Sequence, residues 1–279
     1  MHRPPAPQTL LQTSAVRVED TACAGEGPQD GEESARAAPH LIFPYRGAYH
    51  WHARGETVVA EPGVVLLGNA GESGRAHHVA PGAHASLTVT IDPALLWEIA
   101  RADAVCGGLD IRFAQHALRI DSRAQAMAAL LRHSLVEGAA ETLEAESLAL
   151  TLAHRAVGPK TSHLSSATAS QRRLVERIKV VLASDLGRRW TLADIAAEVG
   201  GSPVYLTQVF REVEGVPLYR HQLRQRLSRA LELIGGCEDL TTLALDLGFS
   251  SHSHFTAAFS QHFGRSPSAF RVSIRKPTG

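Results

Sequence analysis

No stretch of this sequence stays apolar for the roughly 18 residues that a membrane-crossing helix needs, so no spanning segment is expected. The opening residues, Met1-His2-Arg3-Pro4-Pro5-Ala6-Pro7, lack the apolar centre of a secretory leader. Cysteine is scarce: Cys23, Cys106 and Cys237 are odd in number and far apart. That spacing supports neither a disulfide framework nor a zinc knuckle, and it fits a reducing cytoplasm. Gly-x-Ser-x-Gly, a phosphate-cradling glycine loop and Cys-x-x-Cys are all missing. The usual sequence marks of serine hydrolases, nucleotide-binding enzymes and thiol oxidoreductases are therefore absent.

A net charge is also lacking, with 28 Lys+Arg against 28 Asp+Glu, but the balance hides two unlike halves. Residues 1–170 carry 13 basic and 18 acidic side chains; residues 171–279 carry 15 and 10. A basic half can release counterions from nucleic-acid phosphates. At 279 residues, 44% hydrophobic and 20% charged, the chain has the length and composition of two ordinary globular domains.

The basic half contains one pattern twice. Ile195-Ala196, Val199-Gly200, Leu206, Phe210 and Gly215 return as Leu243-Ala244, Leu247-Gly248, Phe255, Phe259 and Gly264. In each copy a short apolar helix meets a glycine turn, a Ser-capped helix and a closing glycine. This is the pattern of a helix-turn-helix, whose second helix can enter the major groove of DNA. Thr191 with Asp194 reads as a capping box, and Leu192, Ile195, Ala196 and Val199 fall on one helical face. Ser202 suits an N-cap and Pro203 the first helical position. Leu206, Val209, Phe210 and Val213 then face a core. Between the copies, Pro217 opens a long helix to about Ile234, roughly 27 Å at 1.5 Å per residue. Pro267 opens a last short turn.

The first half reads differently. Residues 1–12 are Pro-rich with little to bury and are expected to be disordered. From about Ala15 to Asp110, short apolar runs such as Leu41-Ile42-Phe43, Val64-Val65-Leu66-Leu67 and Leu87-Thr88-Val89-Thr90-Ile91 alternate with Gly, Pro and Asn breakers. Many short strands at this spacing predict a small β-sandwich or barrel. Residues 24–36 form an acidic loop by composition. A helix starts at Asp92-Pro93, and Ser122–Val136 with Glu141–Ala156 read as a helical hairpin. Gly158-Pro159 ends the hairpin, and the Ser/Thr/Ala-rich stretch that follows is a linker. The divisions are a disordered 1–12, a sensor domain over 13–157, a linker over 158–170 and a DNA-binding domain over 171–279.

The second repeat, Leu247-Gly248-Phe249-Ser250-Ser251-His252-Ser253-His254-Phe255 through Phe259, followed by Phe263-Gly264-Arg265-Ser266-Pro267 and Phe270-Arg271, resembles the AraC/XylS family of bacterial transcription regulators. Arg226-Leu227-Ser228-Arg229-Ala230-Leu231-Glu232-Leu233 belongs to the same resemblance, which covers about Gln171 to Arg275. It implies that the two second helices enter successive major grooves on one side of promoter DNA. By position in the motif, Val204, Tyr205, Thr207, Gln208 and Arg211 form the first reading surface. Ser253, His254, Thr256 and Ala257 form the second. Gln208 can bond adenine bidentately, and Arg211 can reach a phosphate or guanine. Ala257-Ala258 depart from the family, which often has a basic or long polar residue there; the second helix is expected to add mostly phosphate contacts.

Leu66-Leu67-Gly68-Asn69-Ala70-Gly71-Glu72 with Asp92-Pro93-Ala94-Leu95-Leu96 looks like the sensor domains found with such regulators, and implies an all-β, cupin-like barrel for an effector. Eleven of the 15 histidines lie before residue 171. His50, His52, Glu56 and His78 are the candidate effector-pocket residues. His-x-His-x3-Glu at His50, His52 and Glu56 is similar to a metal-binding cupin string, with His77, His78 or His84 as the further ligand, and such donors suit Zn, Mn or Fe. Gly47 stands only three residues before His50, which is the wrong spacing for that motif, so pocket or surface histidines are the favoured reading. No metal or other cofactor is therefore expected; the residues that would hold a metal are His50, His52, Glu56 and His84. No catalytic residue is assigned.

The composite expectation is a cytoplasmic one-component regulator, not an enzyme. Its expected partners are double-stranded promoter DNA, a small-molecule effector and RNA polymerase, with a homodimer through the Ser122–Ala156 helices as one expectation. Two alternatives stand beside it: a metal-binding cupin enzyme carrying a DNA-targeting domain, and a regulator controlled by a protein partner, for which the acidic 24–36 segment is a candidate surface.

Overall fold

The computed structural model describes residues 7–23, 29–30, 34–78, 84–100, 105–106, 111–157 and 168–274. The chain divides into two compact units, Met1–Ser162 with Ser268–Gly279, and His163–Pro267.

The first unit is built on two sheets. Strands β1 (Gln8–Gln12), β2 (Val16–Cys23), β5 (His40–Arg46), β8 (Val64–Gly68), β10 (His84–Ile91) and β13 (Ala117–Arg119) form the larger, in the order β1-β2-β10-β5-β8-β13. The smaller holds β3 (Gln29–Asp30), β6 (Tyr49–Ala53), β7 (Glu56–Ala60) and β9 (Ser73–His78) in the order β3-β9-β6-β7, with β4 (Ser34–Ala35) also on β9. A short pair, β11 (Val105–Cys106) with β12 (Arg112–Phe113), stands apart from both. Helices α1 (Pro93–Ile99), α2 (Ser122–Val136) and α3 (Thr142–Ala156) complete the unit. The expected barrel thus takes the form of two facing sheets.

Period-two alternation decides which side chains go where. On the larger sheet, Val16, Val18, Leu41, Phe43, Leu87, Val89 and Ile91 pack with Leu96, Leu131, Leu152 and Ala156 of the three helices. The opposite face, with Thr21, His40, Ile42, Ser86 and Thr88, looks toward the smaller sheet. A polar tie joins the larger sheet to α2: Tyr45 donates to Asp20 Oδ1 at 2.7 Å, and Arg132 donates to Asp20 Oδ2 at 2.9 Å while lying over the Tyr45 ring. The β6–β7 hairpin turns on Arg54-Gly55, with φ of 54° and 72°. Two consecutive positive values are what a two-residue hairpin of native twist requires.

Two expectations are corrected here. β1 begins at Gln8, so the 1–12 stretch is ordered over its second half; Leu11 pairs with Val18 and tucks against the helical core. The 24–36 segment is not simply a loop, because β3 and β4 within it pair with β9. Residues 24–28 and 31–33 of that segment, and 158–167 of the expected linker, lie outside the described residues.

The second unit is helical: α4 (Ala169–Ser184), α5 (Leu192–Val199), α6 (Pro203–Glu214), α7 (Leu218–Leu233), α8 (Leu240–Asp246) and α9 (His252–Phe263); α10 (Pro267–Ile274) closes the chain. α4 starts two residues inside the expected linker. Thr168 and Gln171 cap it reciprocally, a box at a spacing the sequence displayed. α10 is a full eight-residue helix rather than a short turn. The other boundaries fall where the caps predict. Thr191 with Asp194 starts α5, Ser202 starts α6, and Ser251 starts α9. Gly215 and Gly264 end α6 and α9 in the left-handed region. Leu192, expected in the core, is exposed at the first turn of α5, while Ile195 and Val199 are buried.

One side chain binds the two helix-turn-helices to each other. Arg226, on α7, donates from Nε to the Leu186 carbonyl at 2.8 Å, from Nη1 to the Gly248 carbonyl at 3.0 Å and from Nη2 to the Arg188 carbonyl at 2.8 Å. Leu186 and Arg188 belong to the α4–α5 loop, and Gly248 is the turn of the second helix-turn-helix. Burial, together with nearby Arg189, lowers the Arg226 pKa from the usual guanidinium value. The loop and turn approach so closely that only glycine fits. A Cβ on Gly248, whose φ is +77°, would sit 2.5 Å from the Gly187 carbonyl oxygen, and one on Gly187 would sit 2.6 Å from that of Asp246.

Arg226→Met keeps the aliphatic stem and removes five donors. It should lower unfolding free energy by about 2–4 kcal/mol in urea titration, because three backbone carbonyls, two of them part-buried, lose charge-assisted bonds. Gly248→Ala should destabilise at least as much, by strain and by backbone contact. Stability within about 0.5 kcal/mol of the parent for both would contradict this role.

Candidate nucleic-acid interface and cavity

α5–α6 and α8–α9 are the two helix-turn-helices. In the first, Leu206, Val209 and Phe210 of α6 pack with Ile195 and Val199 of α5 and with Leu174, Val175, Ile178 and Leu182 of α4. Burying that stripe turns the rest of α6 outward. Val204, Tyr205, Gln208 and Arg211 are exposed, Val204 at 66% and Tyr205 at 48%. Large apolar groups left in water at the start of a helix suit contact with thymine methyls and sugar. Thr207 is half-buried, and its hydroxyl donates to the Pro203 carbonyl at 2.9 Å, so it serves its own helix first.

In the second copy, Phe255, Phe259 and Phe263 form a ladder of tilted rings 4.7–5.6 Å apart, with Phe249 stacked edge-on at its start. Ser253, His254 and Ala257 are exposed and Thr256 is half-buried. His254 is oriented rather than loose: its Nδ1 lies 3.0 Å from Ser250 Oγ, and its ring meets Phe249 edge-on at 5.5 Å. His252 Nε2 lies 3.5 Å from Thr256 Oγ1. Ala257 and Ala258 keep the outer face of α9 small at these positions. Each recognition helix starts with a serine side chain bonded to its third backbone N–H, Ser202 to Tyr205 and Ser251 to His254. Other first-turn N–H groups stay available to phosphate. α7, at 16 residues or roughly 24 Å, separates the copies.

In the first unit, a cavity of about 170 Å³ lies between the two sheets. Tyr49, Trp51, Ala53, Gly74 and Ala76 of the smaller sheet form one wall; Thr21, Cys23, His40, Ile42, His84, Ser86 and Thr88 of the larger form the other. Two rings lie flat on glycines: a Cβ on Gly74 would strike Trp51 at 2.0 Å, and one on Gly68 would strike His40 at 2.3 Å. Arg36 caps the rim, bound to buried Glu19, which Arg17 also reaches at 2.7 Å. His40 Nδ1–H donates to the Ala38 carbonyl, 3.1 Å away, and burial pulls its pKa down to about 4.

This wall corrects the histidine assignments. Tyr49, Trp51 and Ala53 point into the cavity, so His50 and His52 project from the opposite, outer face of the smaller sheet. Glu56 starts β7, with its Oε2 3.2 Å from His116 Nε2. His84 lines the cavity, where it meets Tyr49 at 4.5 Å between ring centres. The four candidate metal ligands therefore do not converge, since two face out and one faces in. The His78 side chain lies outside what is described. His50 and His52 instead meet His77, their neighbour on β9; burial, then the rings of His77 and His52, hold the His50 pKa below its ordinary value. Sequence reasoning missed His40, Tyr49 and Trp51 as cavity groups. The alternation of Tyr49, Trp51 and Ala53 with His50 and His52 was the signal that could have found the last two.

Comparison with known proteins agrees with the helical unit. Residues 195–273 match the family model described as a helix-turn-helix domain. The transcriptional activator AarP of Providencia stuartii is 33% identical over 107 residues, covering 38% of this chain and 79% of AarP. The Msm operon regulatory protein of Streptococcus mutans is 30% identical over 115 residues, 41% of each chain. A transcriptional regulator from Chromobacterium violaceum, described as of AraC-type DNA-binding domain, matches at 25% identity over 39% of this chain and 99% of that structure, with a TM-score of 0.37. The chain spans about a third to just over half the length of several curated relatives it matches. Among the described residues, no helix is long and apolar enough to cross a membrane.

Because the folded His40 pKa of about 4 lies below the ordinary 6.5, protonation opposes folding. Its neutral form supports stability fully above pH 6.5, and that support is lost as pH falls toward 4. His262, also lowered to about 4 by burial and then Arg224, acts in the same direction. Chemical denaturation at pH 7.5 and 4.5 should show a loss of a few kcal/mol, and His40→Gln should remove about 1–3 kcal/mol of it. An equal decline in the variant would show that His40 is not responsible. With the capped recognition helices, their outward Val204, Tyr205, Gln208 and Arg211, and the shared motif, the chain belongs to the AraC-type family of helix-turn-helix transcription regulators.

Proposed function

We propose that this chain is a sequence-specific transcription regulator that binds promoter DNA through α6 and α9 and carries a small-molecule sensor in its first unit. The observation that carries the DNA half is the pair of Ser-capped helices whose outer N-terminal residues are exposed while Arg226 holds their two frames together. Gln208 reads a base, Arg211 takes a phosphate or guanine, and Val204 and Tyr205 cover thymine methyls and sugar. α9 mainly anchors, since Ser253 and Ala257 are too short for long-range readout.

The sensor half rests on the cavity. At about 170 Å³ it is below the ~300–1,000 Å³ of sites for drug-sized ligands, so its ligand is small. Ring surfaces from Trp51 and Tyr49 and hydrogen-bonding groups from His40, Thr21, Ser86 and Thr88 line it, which favours a compact ligand with a flat apolar part and a few polar atoms. To switch transcription, that ligand must bind the DNA-competent and DNA-incompetent states with different affinity. A cytoplasmic setting, contact with RNA polymerase and a homodimer complete the reading. Val136 and Leu143, exposed in and beside the α2–α3 hairpin, are the residues a dimer would cover.

The test is binding of the full-length protein to a labelled pool of its own upstream DNA, with excess nonspecific competitor and at two salt concentrations. Competitor-resistant, salt-sensitive retention of particular fragments is expected. On those fragments, Gln208→Ala should cost about 1–3 kcal/mol of discrimination between correct and altered sites. Arg211→Ala should weaken all sites and reduce the salt slope by about one. Absence of binding both by the full chain and by residues 171–279 would remove the proposal and put the enzyme and partner-controlled readings ahead.

A further inference from the structure

The cavity between the two sheets holds one hydrogen-bonding group whose role is fixed by its other contact. His40 is 4% exposed, and its ring lies flat on Gly68, where no Cβ fits. Its Nδ1 is 3.1 Å from the Ala38 carbonyl oxygen. A carbonyl only accepts, so Nδ1 carries the proton and Nε2 keeps its lone pair. Among the described residues Nε2 has no hydrogen-bond partner, and it opens on the cavity. We propose, resting on the reading of this cavity as the sensor site, that the effector is an uncharged one-ring molecule of the phenol class whose hydroxyl donates to His40 Nε2.

Size limits the ligand to one ring. A dry cavity of ~150 Å³ admits benzene, and this one measures about 170 Å³. Trp51, flat on Gly74, and Tyr49 supply aromatic surface for a ring to stack on or meet edge-on. Strand register sets the polar end. Thr90 stands across from His40 and Thr88 across from Ile42, so Thr88 is the inward-facing neighbour of His40 on β10. Diagonal neighbours of this kind are ~7–8 Å apart, within reach of side chains that meet on one ligand atom. A hydroxyl oxygen placed there donates to His40 Nε2 and accepts from the Thr88 hydroxyl. A ring N–H would satisfy the first group alone.

The same groups select against other ligand classes. Carboxylate oxygens only accept, and they would face the lone pair of Nε2. Arg36, the cation at the rim, is bound to Glu19. A protonated amine could donate, but Glu19 is held by Arg17 and Arg36 and Glu72 by Arg54, so burying a further positive charge would go uncompensated. Burial keeps the imidazole neutral, with a pKa of about 4, although Glu72 and Glu19 pull the other way and Arg36 adds to the lowering. Nε2 is therefore an acceptor throughout the neutral pH range. An aryl ether of the same shape lacks the donor and would leave that buried nitrogen without a bond, which costs affinity.

Calorimetric titration of the full-length protein at pH 7.5 with phenol, anisole and benzoate tests this. Phenol should bind once per chain, at least ~10-fold tighter than anisole or benzoate. His40→Phe keeps a flat ring on Gly68 without the acceptor, and it should bring phenol down to the level of anisole. Thr88→Val should weaken phenol and anisole alike, by ~5-fold, because both oxygens accept from that hydroxyl. If His40→Phe fails to fold, the ¹⁵N resonance of His40 Nε2 in the parent decides: it should shift on adding phenol and stay in place with anisole. Anisole or benzoate binding as tightly as phenol, or a phenol preference that survives His40→Phe, would overturn the donor assignment while leaving the cavity as a ligand site. Binding by none of the three would overturn it together with the sensor reading of the cavity, and leave Nε2 to water only.

Discussion

The Arg226 guanidinium is the constraint on which the DNA-binding unit depends. A helix-turn-helix can be placed on DNA by its own core, but two of them read one site only if their spacing and angle are fixed. α7 supplies the spacing. Arg226 supplies the angle, because its three nitrogens bond three backbone carbonyls that belong to the α4–α5 loop and the α8–α9 turn. Backbone acceptors make this tie independent of neighbouring side chains. The glycines at 187 and 248 let the two segments come close enough for one guanidinium to serve both. The Phe249, Phe255, Phe259 and Phe263 ladder packs the interior of the second frame.

The first unit solves a different problem, that of keeping an interior partly polar without unfolding. Its larger sheet has one mainly apolar face against α1–α3, with the Asp20–Tyr45–Arg132 tie on it, and one mixed face toward the cavity. The polar groups on the mixed face are mostly neutral. Burial keeps His40 uncharged at neutral pH and pushes the Tyr49 hydroxyl further from ionisation. The charges present are paired, Glu19 with Arg17 and Arg36, and Arg54 with Glu72 at 2.6 Å. A small ligand entering this space displaces little charge, which leaves shape and a few hydrogen bonds to decide what binds.

Much of the helical unit was legible because its signals are local. Ser202, Ser251, Thr191, Gly215 and Gly264 act within one turn of themselves, so their positions fixed the helix ends, and the apolar spacing fixed the buried stripes. Arg226 was not legible as a staple, since its acceptors lie 22 to 40 residues away and are backbone atoms that carry no residue signature. α4 escaped because its Ser/Thr-rich cap reads equally well as linker composition. In the first unit, alternation showed that His50 and His52 share a face, but not that Tyr49 and Trp51 own the inner one. The aromatic residues claim the interior because they bury more apolar area, and the histidines go outside to meet His77 from a strand 25 residues on. β1 was missed since its partner, β2, is what makes a polar, Pro-led segment worth ordering.

The central claim is that α6 and α9 act as one rigid pair on one side of the double helix. Hydroxyl-radical footprinting of the full-length protein on its selected site measures this most directly. The account predicts two protected segments on the same face, about one helical turn apart, both weakened together in Arg226→Met. A single protected segment, or two segments whose separation can be changed by half a turn without loss of affinity, would contradict it.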